Sequence, residues 1–454
     1  MSLHRTRAYA ILLVILCVSS TLADETWQTG AAKIKITPEM PIWMSGYGNR
    51  DHPAEGKLTE LWAKALVLHD ADGDQAALIT LDLVGIGRKL SQAICDSLKQ
   101  EYGLQRSQIA ICTSHTHTGP AVGRNLEPLH YLQIDDHQRQ LIDQYAQTLH
   151  HKVVKLVGQA IENLAPSSLA WGNGNATFAV NRRNNNERQV PQTRLAKELK
   201  GPFDHDVPVL SIRDSEGQLK SVVFGYACHS TVLSFYRWSG DYPGFAQQEL
   251  EASHPGCVAL FFAGCGADQN PLPRRTVELA RHYGRRLATA VDAVLLTSEM
   301  TTVPSQLKTS YQEIDLALDS LPSRDQIETD AQDDNKFVSA RAKMFLKRMD
   351  AGTPLSQTYP YPVGVWQLGE IQFVILGGEV VVDFALRLKA ELDGEKTWVA
   401  GYSNDVMAYI PSRRVLREGG YEGAGAMVYY GLPAPWAPSV ENDIVRSART
   451  QLGR

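Results

Sequence analysis

The sequence predicts an α/β protein, with a mixed, twisted β-sheet core flanked by helices, and three features carry that expectation. Apolar runs of strand length recur along the chain. Several are separated by long amphipathic stretches of helical period. Other runs follow one another with only a short polar turn between, which makes the sheet mixed instead of purely parallel. With 454 residues, 43% hydrophobic and 21% charged, the chain has ample length for a large core. A net charge of −5 supplies no basic stripe for nucleic acid.

The first segment is a leader. MSLHRTR supplies positive charge, AYAILLVILCVSS an apolar stretch, and TLA small residues before DET. These are the three parts of a secretory signal peptide, with cleavage expected after Ala23. The apolar run is shorter than the ~20 residues a membrane span needs, and Leu16 is too large to precede a lipidated Cys17. The expectation is a soluble exported protein, secreted or periplasmic, with one catalytic domain over residues 24–454. Five cysteines then remain: Cys95, Cys112, Cys228, Cys257 and Cys265. They are too few for a disulfide scaffold and form no CxxC pair, so they read as buried small hydrophobes with room for one disulfide.

Strands are expected at AKALVLH, AALITLDLV and QIAICTS, and later at VPVLSIR, SVVFGYAC, CVALFFAG and IQFVILGG. RKLSQAICDSLKQEYG reads as a helix with a glycine stop. DDHQRQLIDQYAQTLHHKVVKLVGQAIENL and PRRTVELARHYGRRLATAVDAVLL are longer amphipathic helices. LKSVVFGYA and GVWQLGEIQFVILGG look like hairpin edges. Residues 318–358, charged and helical, form a peripheral excursion.

Five stretches can carry chemistry. CTSHTHTGP ends a strand, and extended backbone would point His115 and His117 to one face; a structural histidine pair is equally open. FGYACHSTVL repeats the pattern of strand, histidine and hydroxyl at His229. Asp241, in the turn that follows, reads as readily as a cap as a site residue. FFAGCGADQNP runs from a strand into a glycine-rich turn, where glycines serve a ligand's approach or a tight turn. VILGGEVVVDF sets Glu379 at the start of an expected helix, where its ordinary value is to the helix dipole. GYSNDVMAYIPSRRVLREGGYEG is a turn-rich loop with two tyrosines. All histidines lie at or before His282, so late ligands must be oxygen donors. Zinc accepts both donor types and keeps a position for water in catalytic sites. The resulting hypothesis has His115, His229 and Glu379 as ligands with a tyrosine helping, and His117 beside the metal to move protons.

The double histidine, the strand followed by His-Ser/Thr, GGE, and the late N…Y…P…GGYE loop occur here in the order found in the neutral ceramidases. The chain resembles the catalytic domain of that family over most of residues 30–430, and MSGYGNRDHPAEG followed by LWAKALVL resembles its opening segment. The resemblance implies zinc held by His115, His229, Glu379 and Tyr409. It further implies that His117 contacts substrate and handles protons, that Arg182 in AVNRRNNN binds substrate, and that Tyr421 reaches the substrate carbonyl. Three departures stand out. ADQNP places Asn270 where the family has a serine, and an amide side chain forms no acyl-enzyme. The chain ends soon after the tyrosine loop, where the family carries a further β-sandwich-like domain. KLTELW lacks the histidine-aspartate pattern often seen before the first core strand.

The activity so implied is zinc-dependent hydrolysis of an amide bond in an N-acyl substrate, ceramide-like or other, including lipids. Zinc would activate water while His117 passes a proton to the leaving amine. Tyr421 and Asn270 would donate hydrogen bonds to the developing oxyanion. The alternatives are a deacetylase of N-acetylated sugars on the same site and a non-catalytic metal-binding relative. A barrel-type H-x-H amidohydrolase is disfavoured, because it wants an early H-x-H, a bridging lysine and a late metal-binding aspartate after two more histidines, and no histidine follows His282.

Overall fold

A computed structural model of the protein describes residues 26–297 and 299–454. The expected leader and its expected cleavage after Ala23 lie outside the described residues. Every strand expected above is present, because each apolar run is buried on both faces. In the strand Gln75–Leu81, Ala77, Ile79 and Leu81 pack beneath Ile94 and Leu98 of the helix Arg88–Tyr102 and Leu149 of the helix Asp136–Glu162. The alternate residues Ala76 and Leu78 point the other way, into a second apolar layer. A strand covered on both sides reads as a continuous apolar run, which is what the sequence displays there.

The large sheet is nine-stranded. From one edge its main path runs Val258–Ala263, Leu219–Tyr226, Asp206–Asp214, Ala165–Asn175, Trp27–Lys35, Trp62–His69, Gln75–Leu81 and Ile109–Thr113. The outermost pair at each end is parallel and the pairs between are antiparallel. The sheet is therefore mixed, as expected, and Asp206–Asp214 with Leu219–Tyr226 is the hairpin read from the sequence. The sheet also curls. Lys64 on Trp62–His69 donates to the carbonyl of Ala259 on the far edge strand at 2.8 Å, which brings the two ends together.

What the sequence did not disclose is a second, four-stranded sheet of Leu307–Ala317, Thr358–Leu368, Ile371–Leu376 and Thr397–Ala400. Trp366, Phe373 and Trp398 from this sheet interlock with Leu66, Leu210 and Phe262 from the large one. Burying side chains of this size is worth about 1.5–3 kcal/mol each. The helices Asp383–Glu391 and Val440–Gln451 cover its outer face through Phe384, Leu388, Ile444 and Val445. The helices Asp241–Ser253 and Val277–Leu295 complete the cover of the large sheet. Leu307–Ala317 escaped the sequence reading because it is an edge strand with mostly half-exposed or exposed side chains.

The stretch 318–358 holds the helices Arg324–Asp330 and Lys336–Asp350, which pack on each other through Ile327, Ala342 and Phe345. All five cysteines from Cys95 onward are free and buried, as small hydrophobes. No helix among the described residues is long and apolar enough to cross a membrane.

Candidate active site

His115 follows the strand Ile109–Thr113, and His229 follows Leu219–Tyr226. Curling of the large sheet brings these strand ends together, with the two imidazole centroids 4.8 Å apart. His115 and His117 do converge, their Nε2 atoms being 3.1 Å apart. They do so by a different route from the extended backbone expected above. His115 has φ of 57°, in the left-handed region, so the chain kinks between the two histidines. Gly46 makes room for the second ring: a Cβ there would lie 2.5 Å from the His117 imidazole. Arg50 donates to the carbonyl of His117 at 2.8 Å and fixes the turn from behind.

Glu379 does not open a helix, for the helix begins only at Asp383. It sits instead in a two-residue strand, Glu379–Val380, paired in parallel with Tyr409–Ile410, so that Glu379 stands opposite Tyr409. Glu379 Oε2 lies 3.2 Å from His115 Nε2 and 3.1 Å from His229 Nε2. Its other oxygen accepts a short hydrogen bond from the Tyr430 hydroxyl. The Tyr409 hydroxyl is 3.3 Å from His229 Nε2. Thus the five residues His115, His117, His229, Glu379 and Tyr409 meet at one buried point.

Tautomers decide what that point can hold. His115 Nδ1–H donates to the carbonyl of Val84 at 2.6 Å, and His229 Nδ1–H to the carbonyl of Gly266 at 2.7 Å. Both Nε2 atoms therefore present lone pairs inward, a common device at metal sites. Burial, together with the neighbouring Arg182, lowers the His229 pKa to about 4, and burial with the other two imidazoles holds His117 well below its usual value. Neutral nitrogens and an anionic oxygen facing one another, with Glu379 Oε2 lacking a hydrogen-bond partner, suit a cation. His115, His117 and His229 form a buried group whose ligand atoms lie within 4.8 Å of one another and can hold a metal ion.

The glycine-rich turn has a structural use. A Cβ on Gly266 would lie 2.6 Å from the backbone nitrogen of Cys228, so only glycine lets this turn approach closely enough to offer its carbonyl to His229. Asp241 is a turn residue: its buried carboxylate accepts from the backbone N–H groups of Val232, Leu233 and Tyr242. Asp268 likewise anchors neighbouring loops, accepting from the Val382 backbone and the Asn181 amide.

Above the cluster opens a cleft of about 750 Å³, lined in part by His117, Arg182, Asn270, Tyr409 and Tyr421. Arg182 is held from two sides, its Nε donating to Glu422 at 2.8 Å and its Nη2 to the Tyr409 hydroxyl at 3.1 Å. Asn270 is buried, and its Oδ1 accepts from Thr231 at 3.5 Å. Tyr421 lines the cleft and is 47% exposed, and its ring stands 5.2 Å from that of Tyr409.

Three residues went unnoticed in the sequence. Tyr402 lies against the His115 ring at 4.3 Å, Tyr430 donates to Glu379, and Tyr47 meets His117 edge-on at 4.8 Å. Each lies within or near a quoted stretch, but no spacing rule distinguishes a tyrosine that packs on a ligand from one in the core.

Comparison with known proteins gives a consistent picture. Over 231 residues the chain is 26% identical to the neutral ceramidase of Drosophila pseudoobscura pseudoobscura, covering 49% of this chain and 32% of that protein. Over 186 residues it is 30% identical to neutral ceramidase 3 of Arabidopsis thaliana, covering 40% of this chain and 24% of that one. The matched stretch spans about a third or less of these relatives' own length. In fold it is similar to the crystal structure of neutral ceramidase from Pseudomonas aeruginosa, with a TM-score of 0.71 at 18% identity, over 94% of this chain and 74% of that one. The family described as neutral/alkaline non-lysosomal ceramidase, N-terminal, matches residues 27–263, more than half of the chain. The chain belongs to that family.

Proposed function

We propose that the protein is an exported, zinc-dependent hydrolase of the amide bond in an N-acyl substrate, with the metal held by His115, His229, Glu379 and Tyr409. The observation that carries this reading is the facing set of donors: two Nε2 lone pairs fixed by carbonyl-bound Nδ1–H groups, and a carboxylate oxygen 3.1–3.2 Å from both. A divalent ion held there supplies Lewis acidity, polarising an amide carbonyl and acidifying water.

The remaining residues of the cleft take the other roles. His117, kept neutral by burial, accepts a proton as the amide is attacked and delivers it to the leaving amine. The Tyr421 hydroxyl and the Asn270 amide donate to the developing oxyanion; one such donor is worth about 3 kcal/mol. Arg182 steadies Tyr409 and Glu422 and keeps both tyrosine rings in position. No serine nucleophile is needed at position 270, since the attacking oxygen comes from water.

The test combines metal analysis with a substrate screen. The purified protein should hold close to one zinc per chain, lose amidase activity with chelator and regain it on zinc addition. His117→Ala should keep the metal while turnover falls by about 10²–10⁴-fold, the usual contribution of a proton-transfer group. A protein without bound metal that still cleaves N-acyl amides would sink the proposal. Export is checked by sequencing the mature N-terminus, expected at Asp24.

A further inference from the structure

We infer that the substrate is a polar N-acyl compound bearing an anionic group, carboxylate, phosphate or sulfate, and that Arg275 binds that group. This rests on the amide-hydrolase reading above and narrows its substrate class. Of the lining residues among those described, four are arginine, three glutamate and three tyrosine, and Leu272 alone is aliphatic. An amide lipid with two long chains gains binding energy only where methylenes meet apolar walls. This cleft offers them one leucine and three tyrosine rings among a larger number of arginines and glutamates.

The charges are not evenly matched. Arg182 and Arg183 both donate to Glu422, at 2.8 and 2.6 Å, and Arg183 also reaches Glu418 at 3.1 Å. Arg274 forms a two-pronged pair with Glu187 at 2.9 and 2.7 Å. These pairs use every carboxylate that lines the cleft. Arg275 is exposed and forms no ion pair with any described residue. Its Nη1 donates only to the Tyr47 hydroxyl, at 3.0 Å, with the guanidinium 5.3 Å from the ring centroid.

Arg275 is also tied to the reacting end of the cleft. Tyr47 is fixed in turn by donating to the carbonyl of Leu233 at 3.0 Å, and its ring stands edge-on to His117. The Arg275 backbone has φ of 96°, uncommon for a residue with a Cβ, and is pinned by its N–H donating to Val232 at 2.7 Å. The side chain therefore leaves a fixed backbone, lies on a fixed ring, and keeps most of its guanidinium donors free for a planar anion.

Steady-state hydrolysis by the zinc-loaded enzyme tests this, with N-acetylglutamate, N-acetylglucosamine 6-phosphate and N-acetylglucosamine 6-sulfate as anionic probes. Neutral N-acetylglucosamine and a long-chain ceramide in micelles are the controls. At least one anionic probe should exceed both controls in kcat/KM by roughly tenfold or more, as a charge-assisted pair to one guanidinium supplies. The probe that responds separates carboxylate from phosphate and sulfate. Arg275→Gln should cut the anionic-to-neutral ratio by about tenfold, mainly through KM, and Arg275→Lys should restore part of it. Calorimetry should show the same loss in affinity for the favoured probe. Ceramide as the best substrate, or an unchanged ratio in Arg275→Gln, would overturn the inference while leaving the amide-hydrolase reading standing. Failure to cleave any of the amides would defeat both.

Discussion

The nitrogen donors of the site hang from the large sheet, whereas the oxygen donors follow strands of the small one. His115 and His229 terminate two strands that the curl of the large sheet brings together. Glu379 and Tyr409 lie just beyond Ile371–Leu376 and Thr397–Ala400, and reach the histidines because the small sheet docks on the large one. Each sheet alone holds half of the proposed ligand set. A metal bound across the seam would therefore report on docking as well as on its ligands.

The largest effect should come from removing one donor on either side. His229→Ala and Glu379→Ala should each abolish metal binding, measured by equilibrium dialysis, with losses beyond the roughly 10–100-fold typical of outer partners. If only the histidine variant loses metal, the two sheets do not share the site. The seam itself comes next. Trp398→Ala should lower stability by about 3–5 kcal/mol in denaturant titration, because it opens a cavity between the sheets. The same variant, still folded in buffer, should bind metal more weakly; wild-type affinity would uncouple docking from the site.

A smaller effect is expected one bond further out. Tyr430→Phe removes the donor to Glu379 and should weaken metal affinity by about tenfold, without unfolding the protein. The smallest concerns Asp405, in the loop between the small sheet and Tyr409. Burial raises its pKa to about 7, despite the Tyr359 hydroxyl that donates to it. Across the range from about 4 to about 7 the folded state then binds a proton that the unfolded chain has released, so this group's contribution falls as pH rises. Thermal melts of Asp405→Asn and wild type should drift apart in the variant's favour between those limits; parallel curves would contradict the shift.

The strands of the large sheet were legible because both their faces are buried, which leaves unbroken apolar runs such as AALITLDLV. The histidines were legible because each ends such a run. Glu379 stands out by its place after two glycines, but a two-residue strand has no periodicity to detect, and the sequence predicts a helix start there instead. The Leu307–Ala317 strand was hidden by its polar, partly exposed composition. Tyr402, Tyr430 and Tyr47 could not be ranked above other tyrosines, since what sets them apart is contact with groups remote in sequence.

The linear chain already carries the apolar runs, the helices between them, the chemical types of the donors and their order. Those are local properties, written in side-chain period and composition. Packing in three dimensions sets the curl that joins His115 to His229, the docking that delivers Glu379 and Tyr409, and the ion pairing that leaves Arg275 without a carboxylate. These depend on contacts between residues as much as 287 positions apart, as from His115 to Tyr402, and no local pattern encodes a distance of that kind.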